Sequence, residues 1–239
     1  MTREEIILKH VKRDGLGLEI GAGCAPVAPK KRGFRVHVLD HCDKNALIGR
    51  RHAWIIGSHV LEHTTDLLGF LNDCDSLLKK GRVLSLVVPD NRYCFDRFRP
   101  LTGVGRVIDA ARNPQKIHSA GTAAEYFLTV VSKGDHIAWD PDEKGEFKLV
   151  HSLEQAKQAI RDVSVRGYYL DVHEWCFTPT SFRLMMRDLF ELGFIQLKEL
   201  AFHPPQGSEF YITLSRQGRL PEGTRLESLG QILREQSVA

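Results

Sequence analysis

Residues 16–26 read Leu-Gly-Leu-Glu-Ile-Gly-Ala-Gly-Cys-Ala-Pro, and the fold turns on them. Leu16, Leu18 and Ile20 alternate as a short buried strand does, and Glu19 sets a carboxylate near the strand's end. Gly21, Ala22 and Gly23 then form a turn whose backbone can pass close to a ligand. In an open parallel sheet that edge is where small ligands bind. A tight strand-to-loop turn without a ligand remains open, because short glycine motifs recur by chance.

Two cofactor classes use such a turn. A dinucleotide fold calls for Gly-x-Gly-x-x-Gly, so that a pyrophosphate rests on the amino end of the following helix. Here Pro26 takes the third position, which disfavours NAD or FAD. S-adenosylmethionine instead presents an amino acid and a positive sulfonium, which suit an acid just ahead of the glycines. Glu19-x-Gly21-x-Gly23 resembles the first motif of the class I S-adenosylmethionine-dependent methyltransferases. That resemblance implies S-adenosylmethionine as cofactor, held around Glu19, Gly21, Ala22 and Gly23.

The chain has 239 residues, 42% hydrophobic and 26% charged, enough to bury a full core as one domain over 1–239. With 33 basic and 30 acidic residues the net charge is +3, so nothing calls for nucleic acid or an anionic membrane as partner. Cys24, Cys42, Cys74, Cys94 and Cys176 lack a Cys-x-x-Cys pair and read as reduced thiols. The charged start holds no signal-peptide core, and no apolar run reaches the roughly 20 residues that span a bilayer. The expectation is a soluble, cytoplasmic protein. Residues 3–13 read as a short amphipathic helix.

A second strand over 34–39 ends at Asp40, 19 positions after Gly21. In nucleoside-binding folds an acid about 20 positions beyond the glycine turn bonds the ribose hydroxyls; a helix-capping aspartate is the alternative. The next strand, 53–59, starts after only 12 further residues. That spacing holds one connection but not an additional strand and helix. Either the sheet lacks the third strand usual in methyltransferases, or a segment is missing from the sequence between Lys44 and His52. Without that strand the second becomes an edge bearing Val36 and Val38, a pairing hazard, and cofactor binding is expected to be weak.

The run Ser58-His-Val-Leu-Glu-His63 is the second informative piece. His59-x-x-Glu62-His63 matches the inverted zinc-protease pattern on paper, but that pattern needs a helix. Ile55 and Ile56 instead make a buried strand that delivers His59 at its end, so no metal is expected. Read as strand, turn and helix, the run resembles the Val-Leu-Glu-His segment after the fourth methyltransferase strand, with Ser58 and His59 closing the cofactor crevice. A helix over 67–79, a turn Lys80-Gly81-Arg82 capped by Gly81, and a strand over 83–88 follow. The phrase Val-Val-Pro-Asp-Asn-Arg-Tyr-Cys-Phe-Asp-Arg-Phe-Arg-Pro resembles a subgroup of predicted bacterial methyltransferases, some associated with glycosyltransferases. The resemblance implies a small-molecule or saccharide-type acceptor. Asp90, Arg92 and Tyr93 are the candidate acceptor contacts, with Arg92 suited to an anionic group.

Residues 100–178 read as a helical insertion over the active-site edge rather than further sheet. Helices are expected at 104–112 and 123–131, a polar loop at 132–145, and a helix opened by a Ser152/Gln155 capping box. Tyr168, Tyr169, His173 and Trp175 are pocket candidates, although Tyr168 and Tyr169 suit core packing equally well. His63 and His173 are the candidate general bases. Thr178 and Pro179 open a buried helix stopped by Gly193. Strands at 194–202 and 209–214, linked through His203-Pro-Pro-Gln-Gly-Ser, and a short helix at 226–234 complete the chain.

The expected fold is therefore an α/β doubly wound, mostly parallel sheet of the Rossmann-like methyltransferase type, with an antiparallel last strand. The expected activity is methyl transfer from S-adenosylmethionine. The alternative is an impaired methyltransferase-like binding or scaffolding protein.

Overall fold

The computed structural model describes residues 1–23, 25–39 and 49–237. Asp40 and residues 44–48 of the short connection lie outside the described residues.

Six strands form one sheet in the order β2-β1-β3-β4-β8-β7. They are β1 (Gly17–Ile20), β2 (Val36–Leu39), β3 (His52–Ser58), β4 (Leu78–Pro89), β7 (Lys198–Gln206) and β8 (Glu209–Ser215). Strands β2, β1, β3 and β4 pair in parallel, whereas β8 runs antiparallel to both β4 and β7. The apolar runs of β3 and β4 follow from burial on both faces, as parallel strands require. Among the described residues β2 is the outer strand on its side, and its Val38 is 46% exposed.

Each face carries its own core. On one, Leu18, Ile55, Leu84 and Leu86 pack with α2 (Leu67–Leu77), α3 (Val104–Arg112) and α6 (Pro179–Glu191). On the other, Trp54, Ile56, Val83 and Val87 pack with Ile6 and Ile7 of α1 (Arg3–Leu8) and with Val27, Ala28 and Phe34. Gly17 belongs to this second packing: a Cβ there would lie 2.1 Å from ring atoms of Trp54.

Several boundaries differ from the sequence reading. Helix α1 stops at Leu8, and α2 gives way directly to β4 at Leu78, so 80–82 lies within a strand. Gly81, at φ 70°, is the left-handed residue in that strand rather than a helix cap. The insertion contains sheet after all: β5 (Val131–Lys133), at the start of the expected 132–145 loop, pairs with β6 (Phe147–Leu149) just beyond its end. Around it lie α4 (Ala120–Thr129), begun early by the Ser119 cap, and α5 (Leu153–Ser164), whose Ser152/Gln155 capping box forms as read. Strand β7 starts at Lys198, not 194, and runs through Pro204 and Pro205, which an outer strand with shifted register tolerates. The chain closes with α7 (Arg225–Ser237). Among the described residues no helix is long and apolar enough to cross a membrane.

Candidate functional site

The turn after β1 is built by Glu19. Its side chain points away from Leu18 and Ile20 and is only 2% exposed. The carboxylate accepts the N–H groups of Val27 at 2.6 Å and Ala28 at 3.0 Å, closing the loop on itself. Among the described residues 21–35 there is no α-helix, only the short turn Lys30–Arg32. A pyrophosphate held on a helix start is therefore not provided for here. Gly21 and Gly23 take φ of 68° and 48°. A Cβ at Gly21 would meet Val60 Cγ2 at 2.4 Å, whereas at Gly23 it would meet nothing within 4 Å. The turn thus packs against the loop after β3 at one glycine and stays open at the other, with Ala22 half-buried between them.

Beside this turn lies a cleft of about 1020 Å³, large enough for a nucleoside-sized ligand. Its walls include Ile20, Leu39, Val60, His63, Phe70 and Tyr169. The cleft reaches the β1–β3 switch point through Ile20 and Val60, but none of Glu19, Gly21, Ala22, Gly23, Ser58 and His59 lines it, and Glu19 faces the other way.

The loop after β3 is held by charge. His59 has φ 51°, a conformation a histidine tolerates but must be held in. Its Nε2 lies 2.6 Å from Glu209 Oε2, and its Nδ1 lies 3.4 Å from Glu62 Oε1. Burial would lower the imidazole's pKa, but the two carboxylates prevail and raise it to about 9. Glu209 also accepts from Arg3 Nε at 2.7 Å and Tyr211 Oη at 2.6 Å. Burial pushes that carboxyl up, and the His59, Arg3 and Tyr211 bonds bring it down to about 2. Arg3 also donates to Ser58 Oγ at 2.7 Å, so Ser58 and His59 are tied to α1 and β8.

His63 and His173 come together although 110 positions separate them in sequence: their rings stand edge to face with centroids 4.7 Å apart. His173 Nδ1 is bonded to Asp96 Oδ2, and Asp96 is also held by Arg99 at 3.0 Å. Burial raises the Asp96 carboxyl, but His173 and Arg99 outweigh it and hold it below its ordinary range. Arg99 donates further to the His173 carbonyl at 2.7 Å, which fixes the histidine's backbone. His63 Nδ1 lies 2.8 Å from Asp171 Oδ1. Burial keeps the His63 imidazole below its usual pKa, with the neighbouring His173 adding to the effect. An imidazole kept neutral near pH 7 can accept a proton.

The expected acceptor contacts are placed differently. Asp90 is fully buried and receives Arg92 through Nε at 2.9 Å and Nη2 at 2.6 Å. The pair satisfies itself, and Arg92 also lies over the Tyr93 ring at 5.0 Å. Trp175 is 1% exposed in the main core and donates its Nε1–H to Thr64 O at 2.6 Å. None of these four residues lines the cleft. Tyr168 and Tyr169 are instead the exposed ones, at 56% and 51%, and Tyr169 borders the cleft.

Sequence reading passed over the acids that organise this end of the sheet. Asp96, Asp171 and Glu209 are single carboxylates far along the chain, with no local motif to mark them. Glu62 carried a signal in His59-x-x-Glu62-His63, set aside because the pattern was not helical.

No family model and no curated protein matches the chain. Among solved structures, a Rhodobacter sphaeroides protein assigned to the Zn-dependent alcohol dehydrogenases is similar, with 12% identity, 90% of this chain and 89% of that chain covered, and a TM-score of 0.50. The CcbJ methyltransferase from Streptomyces caelestis is similar at 11% identity, with coverages of 90% and 96% and a TM-score of 0.47. An S-adenosylmethionine-dependent methyltransferase from Clostridium acetobutylicum has 10% identity, coverages of 90% and 91%, and a TM-score of 0.45. At such identities the likeness is one of fold. The chain has a Rossmann-like fold with an antiparallel last strand.

Proposed function

We propose that this protein is an S-adenosylmethionine-dependent methyltransferase acting on a small-molecule or saccharide-type acceptor. The observation that carries the reading is the Gly21–Gly23 turn at the carboxyl end of β1, set at the switch point beside a cleft of about 1020 Å³. The open space over Gly23 suits a ligand lying against its backbone. The backbone of Gly21, Ala22 and Gly23 and the far wall behind Ser58 and His59 would hold the cofactor. When bound, S-adenosylmethionine supplies an electrophilic methyl group on a sulfonium. The chain's part is then to align an acceptor, exclude water and take up a proton, tasks for the cleft walls and for His63 beside His173.

One observation favours the impaired-descendant reading: the Glu19 carboxylate is consumed by the N–H groups of Val27 and Ala28 and is not free for a ligand. Calorimetric titration with S-adenosylmethionine, S-adenosylhomocysteine and NAD separates the cases. Methyltransferase function requires binding of the first two and transfer of labelled methyl to an acceptor in a saccharide panel. A folded protein that binds neither adenosyl compound would refute it, and binding without transfer to any acceptor would favour the scaffolding role.

A further inference from the structure

Glu62 is 0% exposed, and neither of its carboxylate oxygens accepts a hydrogen bond. A buried carboxylate without partners is costly unless something cationic answers it. His59 Nδ1 stands 3.4 Å from Oε1 without hydrogen-bond geometry, so it answers Glu62 only through its charge while its Nε2 bonds Glu209. On its other side, one Glu62 oxygen and one ring nitrogen each of His63 and His173 lie within 4.8 Å of one another. We infer that Glu62, His63 and His173 form a site for a zinc-class divalent cation.

The chemistry of the three side chains fits that ion. Two imidazoles and one carboxylate, with a fourth position open, are a donor set that zinc accepts, and bonds of about 2.0–2.2 Å put such ligands roughly 3.3 Å apart. From separations within 4.8 Å, side-chain adjustment closes the set. Both histidines are prepared for it. His173 Nδ1 is bonded to Asp96, and His63 Nδ1 lies 2.8 Å from Asp171. The Asp96 bond on His173 Nδ1 leaves that residue's Nε2 for an ion, the arrangement in which an outer carboxylate sets the tautomer and orientation of a metal-bound histidine; Asp171 stands beside His63 Nδ1 without hydrogen-bond geometry, leaving a buried ring nitrogen of His63 unpartnered. Imidazole donors favour zinc over magnesium, which prefers an all-oxygen shell. The sequence objection to a metal was that His59 and His63 cannot share a helical face, and His59 takes no part in this site. The structure meets it differently, with His63 and Glu62 following β3 and His173 arriving from the segment before α6. His63 also borders the cleft, so the site adjoins it. An ion held there takes the imidazole lone pairs, so the metal-loaded protein cannot use His63 as its proton acceptor; the site itself stands whether or not an adenosyl compound binds.

The test uses the full chain with any affinity tag removed, freed of metal by chelator and titrated with zinc chloride in a calorimeter. One zinc per chain is expected, cobalt should give the visible absorption of a low-coordinate site, and millimolar magnesium should not compete. Glu62→Gln and His63→Ala should each weaken zinc binding at least tenfold while circular dichroism stays that of the parent. Asp171→Asn, at a position 70% exposed in its side chain and so safe for folding, should weaken it by about tenfold or more. Absence of zinc binding by the folded parent, equal affinity for magnesium, or unchanged affinity in Glu62→Gln would overturn the site. If Glu62→Gln does not fold, an unchanged affinity in Asp171→Asn would overturn it as well.

Discussion

Gly17 is where a single atom matters most for the sheet. Replacing it with alanine drives a Cβ into the Trp54 ring, which is itself fully buried. Overpacking of this kind costs about 1–3 kcal/mol, so Gly17→Ala should lower the urea midpoint by that equivalent. Glu209 governs a pH response whose sign follows from its partners. Its carboxyl sits at about 2 instead of the ordinary 4.5, so its contribution is present above 4.5 and fades as pH falls toward 2. His59 sits at about 9 instead of 6.5, so its contribution is full below 6.5 and is lost as pH rises through 9. The pair therefore stabilises most between those limits, and parent stability measured across pH should show both declines. Glu209→Gln should remove the acid limb and shrink the alkaline one, because Glu62 still faces His59, and should cost about 1 kcal/mol, since the His59 and Arg3 side chains are 40% and 44% exposed and solvent screens the network. A pH profile unchanged by that substitution would contradict the assignment. Neither residue was legible beforehand: Gly17 looked like a neutral strand position, and Glu209 gains its charged partners, Arg3 from α1 and His59 from the loop after β3, from more than a hundred positions away.

At the scale of elements, local chemistry was read well where it is local. Thr178, Pro179 and Ser181 open α6 with a capping box, and Thr178 is fully buried. Thr178→Ala should cost about 1–2 kcal/mol, seen as a lower Tm by differential scanning calorimetry. The outer strand β2 carries Val38 at 46% exposure, and a charge there blunts edge pairing. Val38→Lys should reduce self-association in light scattering while leaving stability nearly unchanged. What failed at this scale were junctions: the α2–β4 boundary moved because β4 extends back to pair with His52, and β5–β6 formed because the insertion folds on itself. Both are pairings between distant segments, which no local pattern encodes.

For the whole molecule, ligand binding should appear as stability. At a concentration of one hundred times Kd, a ligand that binds only the folded state adds about 2.7 kcal/mol, which for a chain of this size raises Tm by roughly 5–10 °C. S-adenosylmethionine should produce that shift and NAD should not. No shift at any concentration would count against the proposed cofactor.

The sequence by itself determined the sheet's strand segments, the glycine turn after β1, the capped starts of α5 and α6, and the room for only one connection after β2. These rest on alternation, caps and spacing, properties of neighbouring residues. Only the tertiary structure decided that Glu19 turns inward to close its own loop, that Asp90 and Arg92 satisfy each other, and that Trp175 is core while Tyr169 borders the cleft. It alone placed Glu62, His63 and His173 together, because the chain reaches that point twice, from β3 and from the segment before α6. Which side chains meet across such a distance depends on the packing of the elements between them.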